Sequence, residues 1–113
     1  LFAGADAILL PSRYEPCGLA QLQGMKYGTL PIVHATGGLA DTVDHGQTGF
    51  CFEVLDGTGL AWACMEALKV WRKPQRWAAM RTNAMTRDFS WRQSASKYEK
   101  LYRQVIDRAG DQP

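Results

Sequence analysis

Two histidines, three cysteines and five prolines are spread over 113 residues, and each scarcity closes off a class of function. Cys17, Cys51 and Cys64 are odd in number and widely spaced, which fits neither a disulfide framework nor a zinc knuckle. Free thiols in a reducing compartment are the expectation, with Cys51 and Cys64 as core positions. His34 and His45 stand 11 positions apart without neighbouring ligands, so they do not read as a metal site. Charge of one sign is also lacking. Thirteen basic against eleven acidic residues leave a net charge of +2, and no lysine or arginine cluster suggests a nucleic-acid surface. No run is long and apolar enough to cross a membrane. The start, Leu1-Phe2-Ala3-Gly4-Ala5, has neither a methionine nor a basic stretch before its apolar residues. It reads as the middle of a longer protein, without a visible signal peptide.

What is present is ordinary for a folded chain: 46% hydrophobic and 21% charged residues. A domain of this size buries roughly 65% of its unfolded surface. It is small for an enzyme that must hold two large substrates. Asp6-Ala7-Ile8-Leu9-Leu10 is an apolar run stopped by Pro11-Ser12, and it predicts a buried strand. Arg13 to Gly18 is a loop. Leu19, Leu22, Met25 and, less cleanly, Tyr27 recur at helical spacing, with Gly28 placed to end the helix in a left-handed conformation. Leu30-Pro31-Ile32-Val33 predicts a second strand, its proline tolerable near the start. Strand, helix and strand in this order make a βαβ unit, hence a parallel sheet.

After the turn at Thr36-Gly37-Gly38, residues 39–43 form a short helical or extended piece. A polar loop at 45–49 leads to a third strand, Phe50-Cys51-Phe52. The remainder is helical. Leu60, Ala61, Cys64, Ala67, Leu68 and Trp71 share one face, and Asp56 or Thr58 could cap it. Pro74 opens the next helix, which carries Trp77, Met80, Ala84 and Met85. Ser90 and Gln93 match a capping box, opening a helix with Trp91, Ala95, Tyr98, Tyr102 and Val105 on its apolar side and a frayed tail after Arg108. Trp62 falls off the main stripe of its helix, and carbohydrate stacking is a minor reading for the tryptophans. Three short strands cannot cover three long helices, so earlier strands of the same sheet are expected outside this sequence.

Ligands of open parallel sheets bind beyond the carboxyl ends of the strands. Arg13 to Gly18 lies at such an end and runs into a helix N-terminus, so the N–H groups of Cys17 to Leu19 are donors in search of a partner. Glu15 is the carboxylate beside them. It can accept hydrogen bonds from two sugar hydroxyls, or simply stabilise the helix end; the residues alone leave both open. Thr36-Gly37-Gly38-Leu39 follows the second strand at the same edge, where adjacent glycines permit close backbone approach. Tyr14, beside Glu15, is the aromatic placed to line a cleft. His34 is expected at a strand end near it.

The motifs Pro11-Ser12-Arg13-Tyr14-Glu15-Pro16-Cys17-Gly18-Leu19, Gln21-Leu22, Tyr27-Gly28-Thr29, Thr36-Gly37-Gly38-Leu39 with Asp41-Thr42-Val43, Thr48-Gly49-Phe50 and Asp88-Phe89-Ser90-Trp91 occur here in this order. Together they resemble bacterial glycogen synthase and the plant starch synthases, over nearly the whole chain. The resemblance implies an α/β fold: part of the Rossmann-like C-terminal domain of a GT-B glycosyltransferase, parallel strands followed by three C-terminal helices. Residues 1–113 would be the later part of that nucleotide-sugar-binding domain. It implies transfer of glucose from ADP-glucose to the non-reducing end of an α-1,4-glucan with retention, UDP-glucose being the other donor left open.

On that resemblance Glu15 holds the donor glucose. Cys17, Gly18, Leu19, Thr36, Gly37 and Gly38 supply backbone contacts to the sugar or its phosphates. Tyr14, Ala20 and Gln23 line the cleft. Gln23 stands where many retaining relatives have a second glutamate, and Ala20 has no hydroxyl for a phosphate. No Asp-x-Asp motif occurs, and no metal or other cofactor is implied. The resemblance further implies an N-terminal Rossmann-like domain as intramolecular partner, no nucleic-acid or membrane partner, and a bacterial cytoplasmic or plant plastid location. The basic and acidic groups that complete such a site cannot be placed in this chain, so the isolated polypeptide is expected to be inactive. The readings that compete are a retaining GT-B transferase with another donor or acceptor, and a non-catalytic nucleotide-binding or structural module.

Overall fold

A computed structural model describes residues 1–110. A short 3₁₀ turn (Phe2–Gly4) precedes β1 (Ala7–Leu10), α1 (Ala20–Lys26), β2 (Leu30–His34), α2 (Gly37–Thr42), β3 (Phe50–Phe52), α3 (Gly57–Trp71), α4 (Pro74–Thr86) and α5 (Trp91–Gly110). The strands form one parallel sheet in the order β1-β2-β3. The βαβ expectation holds, and the piece at 39–43 is helical through Thr42, with Val43 extended. The start of the expected frayed tail is helical as far as Gly110; the rest of it lies outside the described residues.

Strand alternation divides the core in two. Leu30, Ile32, Phe50 and Phe52 turn to one side and pack with Met25 of α1, Ala63, Ala67 and Val70 of α3, and Trp77, Met80 and Ala84 of α4. Phe50 and Trp77 stack with ring centres 6.3 Å apart. On the other side, Leu10, Val33 and Cys51, aligned across the three strands, meet Leu39 and Val43. β2 is the central strand, and Pro31 is tolerated as its second residue.

Several sequence expectations shift by a residue or a face. Leu19 is not inside the first helix but is its N-cap residue, and Leu19 and Tyr27 are both exposed. The buried positions of α1 are Gln21, Gly24 and Met25, with Gly24 in ordinary contact range of Ile8 and Thr29. Gly28 adopts the expected left-handed conformation, φ 79°, and its carbonyl accepts a 2.9 Å hydrogen bond from Arg81 of α4. Asp56, not Thr58, caps α3, accepting from the Gly59 N–H at 2.7 Å.

The buried stripe of α3 is Ala63, Ala67 and Val70, with Leu60 and Cys64 partly covered. Leu68 and Trp71 instead border an apolar recess of about 390 Å³ with Ala7, Ile32 and Trp77. Met85 is exposed, next to Gly28. The capping box at α5 does not form. Gln93 N–H reaches the Ser90 carbonyl (3.2 Å), while the Ser90 hydroxyl and N–H serve the Asp88 carboxylate, which they hold below its ordinary range.

The apolar side of α5, which could close on a domain outside this chain as well as on its own core, is open here: Trp91 is 85% and Tyr102 63% exposed, with Tyr98 and Val105 at 57% each. The helix extends from the body, and the chain with it measures 62 × 28 × 23 Å. Among the described residues, no helix is long and apolar enough to cross a membrane.

Phe50 touches both α3 and α4 through this core. Phe50→Ala should therefore cost about 3–5 kcal/mol, read as a lowered denaturant midpoint of the domain that carries these residues.

Candidate functional site

Three chain segments leave the carboxyl edge of the sheet: the long loop 11–19 after β1, Ala35-Thr36 after β2, and residues 53–56 after β3. His34, the last residue of the central strand, joins them. Its Nδ1 lies 2.7 Å from the Ser12 carbonyl oxygen and its Nε2 3.3 Å from that of Glu53. A neutral ring carries one N–H and can donate to one of these oxygens; the shorter contact favours Ser12. His34 thus sits at the strand end where the sequence placed it, with its ring engaged by backbone.

The first two loops interlock. The Gly38 N–H donates to the Glu15 carbonyl at 2.8 Å. A side chain on Gly37 would overlap the Glu15 carbonyl oxygen, and one on Gly38 would overlap that of Cys17. Gly37 also has φ 46°, in the left-handed region that disfavours side chains. The close approach that the glycine pair permits is therefore made, first of all, by the Glu15–Cys17 backbone.

Gln21 locks this arrangement from beneath. It is fully buried. Its Nε2 donates to the Cys17 carbonyl (3.0 Å) and to Thr42 Oγ1 (3.2 Å), and the Thr42 hydroxyl donates onward to the Gly38 carbonyl (2.6 Å). One amide and one hydroxyl thus tie loop, helix α1 and helix α2 together. Gly18 has φ 71°, and a side chain there would strike the Gln21 amide. The Gln21 Oε1 has no hydrogen-bond partner among the described residues.

Reasoning from sequence passed over Gln21 and Thr42 as site residues. A signal existed: Gln21 precedes Gly24 and Met25 by three and four positions, where helical period demands a buried residue.

The predicted site residues divide accordingly. Glu15, Cys17, Gly18, Gly37 and Gly38 meet in the interlock, with the Tyr14 ring beside Gly37. Glu15 is half-buried, and none of the ion pairs among the described residues involves it, so its carboxylate is uncommitted. Cys17 is exposed. Thr36 precedes α2 without using its side chain as a cap. Leu19 and Ala20 form the uncapped start of α1. With seven residues, α1 is too short to contribute much dipole, so the amides of the loop and first turn are what this edge offers a ligand. Gln23 is exposed one turn further on, and nothing draws it to Glu15 or the glycine pair.

Cys51 belongs to the opposite core, its Sγ 3.3 Å from the Val43 carbonyl. Burial, then the charge of Asp44, push its thiol up to about 11. It is an unreactive packing residue. No group of three or more potential metal-ligating side chains comes together among the described residues.

Comparison with known proteins gives this edge its context. Residues 1–83 match the family model of glycosyl transferases group 1. The chain is 49% identical over 114 residues to a glycogen synthase of Mannheimia succiniciproducens, covering 93% of this chain and 24% of that protein. It is 50% identical over 111 residues to one of Histophilus somni, covering 90% and 23%. Among solved structures it superposes on the catalytic domain of starch synthase IV from Arabidopsis thaliana bound to ADP and acarbose. There the TM-score is 0.79 and the identity 35%, over 94% of this chain and 24% of that one.

A sucrose-phosphate synthase from Thermosynechococcus elongatus gives a TM-score of 0.71 at 31% identity, covering 95% and 27%. The chain thus spans about a quarter of the length of the relatives it matches. Parallel strands, connecting helices and the motifs in their order all agree. The chain belongs to the group 1 glycosyl transferases, as a stretch of a Rossmann-like GT-B domain homologous to the bacterial glycogen synthases and plant starch synthases.

Proposed function

We propose that residues 1–113 are the later part of the C-terminal nucleotide-sugar-binding domain of a retaining glucosyltransferase of the bacterial cytoplasm. In this reading the enzyme moves glucose from ADP-glucose to the non-reducing end of an α-1,4-glucan, and this chain supplies one wall of the donor site. The observation that carries the reading is the interlocked edge: an uncommitted Glu15 carboxylate held beside uncapped amides by a buried glutamine.

Each residue has a role in that proposal. The Glu15 carboxylate accepts hydrogen bonds from hydroxyls of the donor glucose; it is not a nucleophile. The N–H groups of Cys17, Gly18 and Leu19 face the sugar or the departing diphosphate, where preorganised donors stabilise developing charge. Thr36, Gly37 and Gly38 close the opposite side, and Tyr14, Ala20 and Gln23 border the entrance. ADP is favoured as the nucleotide because the starch synthase structure that holds ADP is 35% identical.

The apolar side of α5 is assigned to the N-terminal Rossmann-like domain of the same protein. Its exposed Trp91, Tyr98, Tyr102 and Val105 form the surface a second domain would cover.

Three outcomes test the proposal. In the intact protein, Glu15→Ala should lower ADP-glucose turnover about a hundredfold or more, since hydrogen bonds to a charged group contribute about 1.5–3 kcal/mol each. Circular dichroism should be unchanged; near-normal activity would remove Glu15 from the donor site. Gln21→Leu keeps the volume but leaves the Cys17 carbonyl unpaired, and it should reduce kcat/KM for the nucleotide sugar about tenfold or more. The isolated 113 residues should give only background in a radiolabelled glucan-extension assay. Turnover there would show that the chain holds a complete site.

A further inference from the structure

β3 ends the sheet on the side away from β1 and would expose unpaired backbone there. His45 covers it. The Cys51 N–H donates to His45 Nδ1 at 3.0 Å, so the ring proton of a neutral His45 sits on Nε2. The ring meets Phe50 edge-on, with centres 6.2 Å apart at 84°, and stacks on Trp62 of α3 at 5.6 Å and 16°. Trp62 is thereby stacked on the ring that meets the β3 edge while remaining 49% exposed. An aromatic of this size, fixed by stacking rather than burial, is a platform.

Beside the platform lies a cavity of roughly 640 Å³, whose lining includes His45, Trp62, Glu53, Asp56 and Thr58. Such a volume accommodates a small organic ligand. Glu53 takes part in none of the ion pairs among the described residues. Asp56 uses Oδ1 for the α3 cap, which leaves Oδ2 without a hydrogen bond among the described residues. No lysine or arginine lines the cavity, so a phosphate or nucleotide would meet carboxylates with nothing to neutralise it. A neutral pyranose has the opposite character: apolar C–H faces to lie on an indole and hydroxyls to donate to carboxylates. The cavity lies at the carboxyl end of β3, with Ala35, Glu53, Val54 and Asp56 of the edge described above in its wall, and shares no lining residue with the Glu15 loop or the glycine pair.

The geometry points to a second carbohydrate-binding site at the β3 edge, with Trp62 as stacking platform and Glu53, Asp56 and Thr58 as hydroxyl partners. Its occupant is a chain of the α-1,4-glucan acceptor, an assignment that rests on the function proposed above. A site of this kind would tether the polymer while another chain end reacts, raising the local concentration of acceptor without entering the chemistry.

The test uses the intact protein labelled with fluorotryptophan, with maltoheptaose as probe; Trp62→Phe identifies the Trp62 resonance by its loss. That resonance should shift saturably with maltoheptaose and ignore inorganic phosphate. Trp62→Ala should weaken retention on glycogen in affinity electrophoresis about tenfold, the loss expected when a central aromatic contact is truncated. KM for ADP-glucose should stay unchanged. Glu53→Gln, which leaves the stack intact, should act in the same direction more weakly and guards against a folding artefact.

A Trp62 resonance indifferent to maltoheptaose, or equal retention on glycogen by both variants and the parent, overturns the site. An equal response to a β-1,4-linked oligosaccharide overturns its assignment to the α-glucan. The two readings fail separately. A silent Trp62 in a protein that elongates glycogen removes only the second site, whereas absence of glucosyl transfer with Trp62 still responding removes only the donor reading.

Discussion

The hydrogen bond from the Gly38 N–H to the Glu15 carbonyl is the contact on which the candidate site depends. It joins two loops that leave neighbouring strands, and it forms only because neither Gly37 nor Gly38 carries a side chain. With the loops this close, the Glu15 backbone is fixed and its carboxylate is presented without a partner of its own. Gln21 then makes the contact rigid: it occupies a position that could have been apolar, and binds the carbonyl of one loop and the hydroxyl that holds the other. Burying an amide is costly unless its groups are paired. Here the two N–H groups are satisfied and the carbonyl oxygen is not, so the residue is better explained by the geometry it imposes than by stability.

The sheet itself was legible in the amino-acid order because its signals are local. Apolar runs bounded by proline and glycine marked β1, β2 and β3 to within a residue, and their parallel arrangement followed from the intervening helix. Helix faces were less legible. Periodicity for α3 selected Leu68 and Trp71, but which of two adjacent stripes is buried depends on where the sheet and α4 lie. For α1 the buried face runs through Gln21, Gly24 and Met25, while Leu19 and Tyr27 of the apolar spacing lie exposed. At the site, Glu15 and the glycine pair stood out by type and position. The interlock did not, since it joins backbone atoms over twenty residues apart and leaves no compositional mark.

The same distinction explains the surfaces that fail to match expectation. The aligned row Leu9, Ile32, Phe50 passes from 45% exposed at β1 to 7% and 2% further in. The recess bordered by Leu68 and Trp71 opens on that same β1 side, with Ala7 in its wall. α5 shows a complete apolar face to solvent. Each is an apolar pattern of helical or strand period that lies open in this chain. On the proposed reading, in a chain spanning about a quarter of its relatives, a covering element from elsewhere in the protein would account for all three.

Rigidity at the carboxyl edge and openness at the β1 side are then two parts of one design. His34 ties the carboxyl end of the central strand to the first loop through the Ser12 carbonyl, with the Glu53 carbonyl 3.3 Å from its other nitrogen, while Gln21 ties the first loop to the second. These straps lie within the described chain and need nothing from outside it to set the position of Glu15. The groups that would act on the other side of a bound nucleotide sugar are not in this sequence, on the proposed reading. A wall that holds its own shape can meet such partners as a fixed surface. Domain closure would then need to bring the second wall to the first without also building it, which keeps the ordering cost of the site out of the binding step.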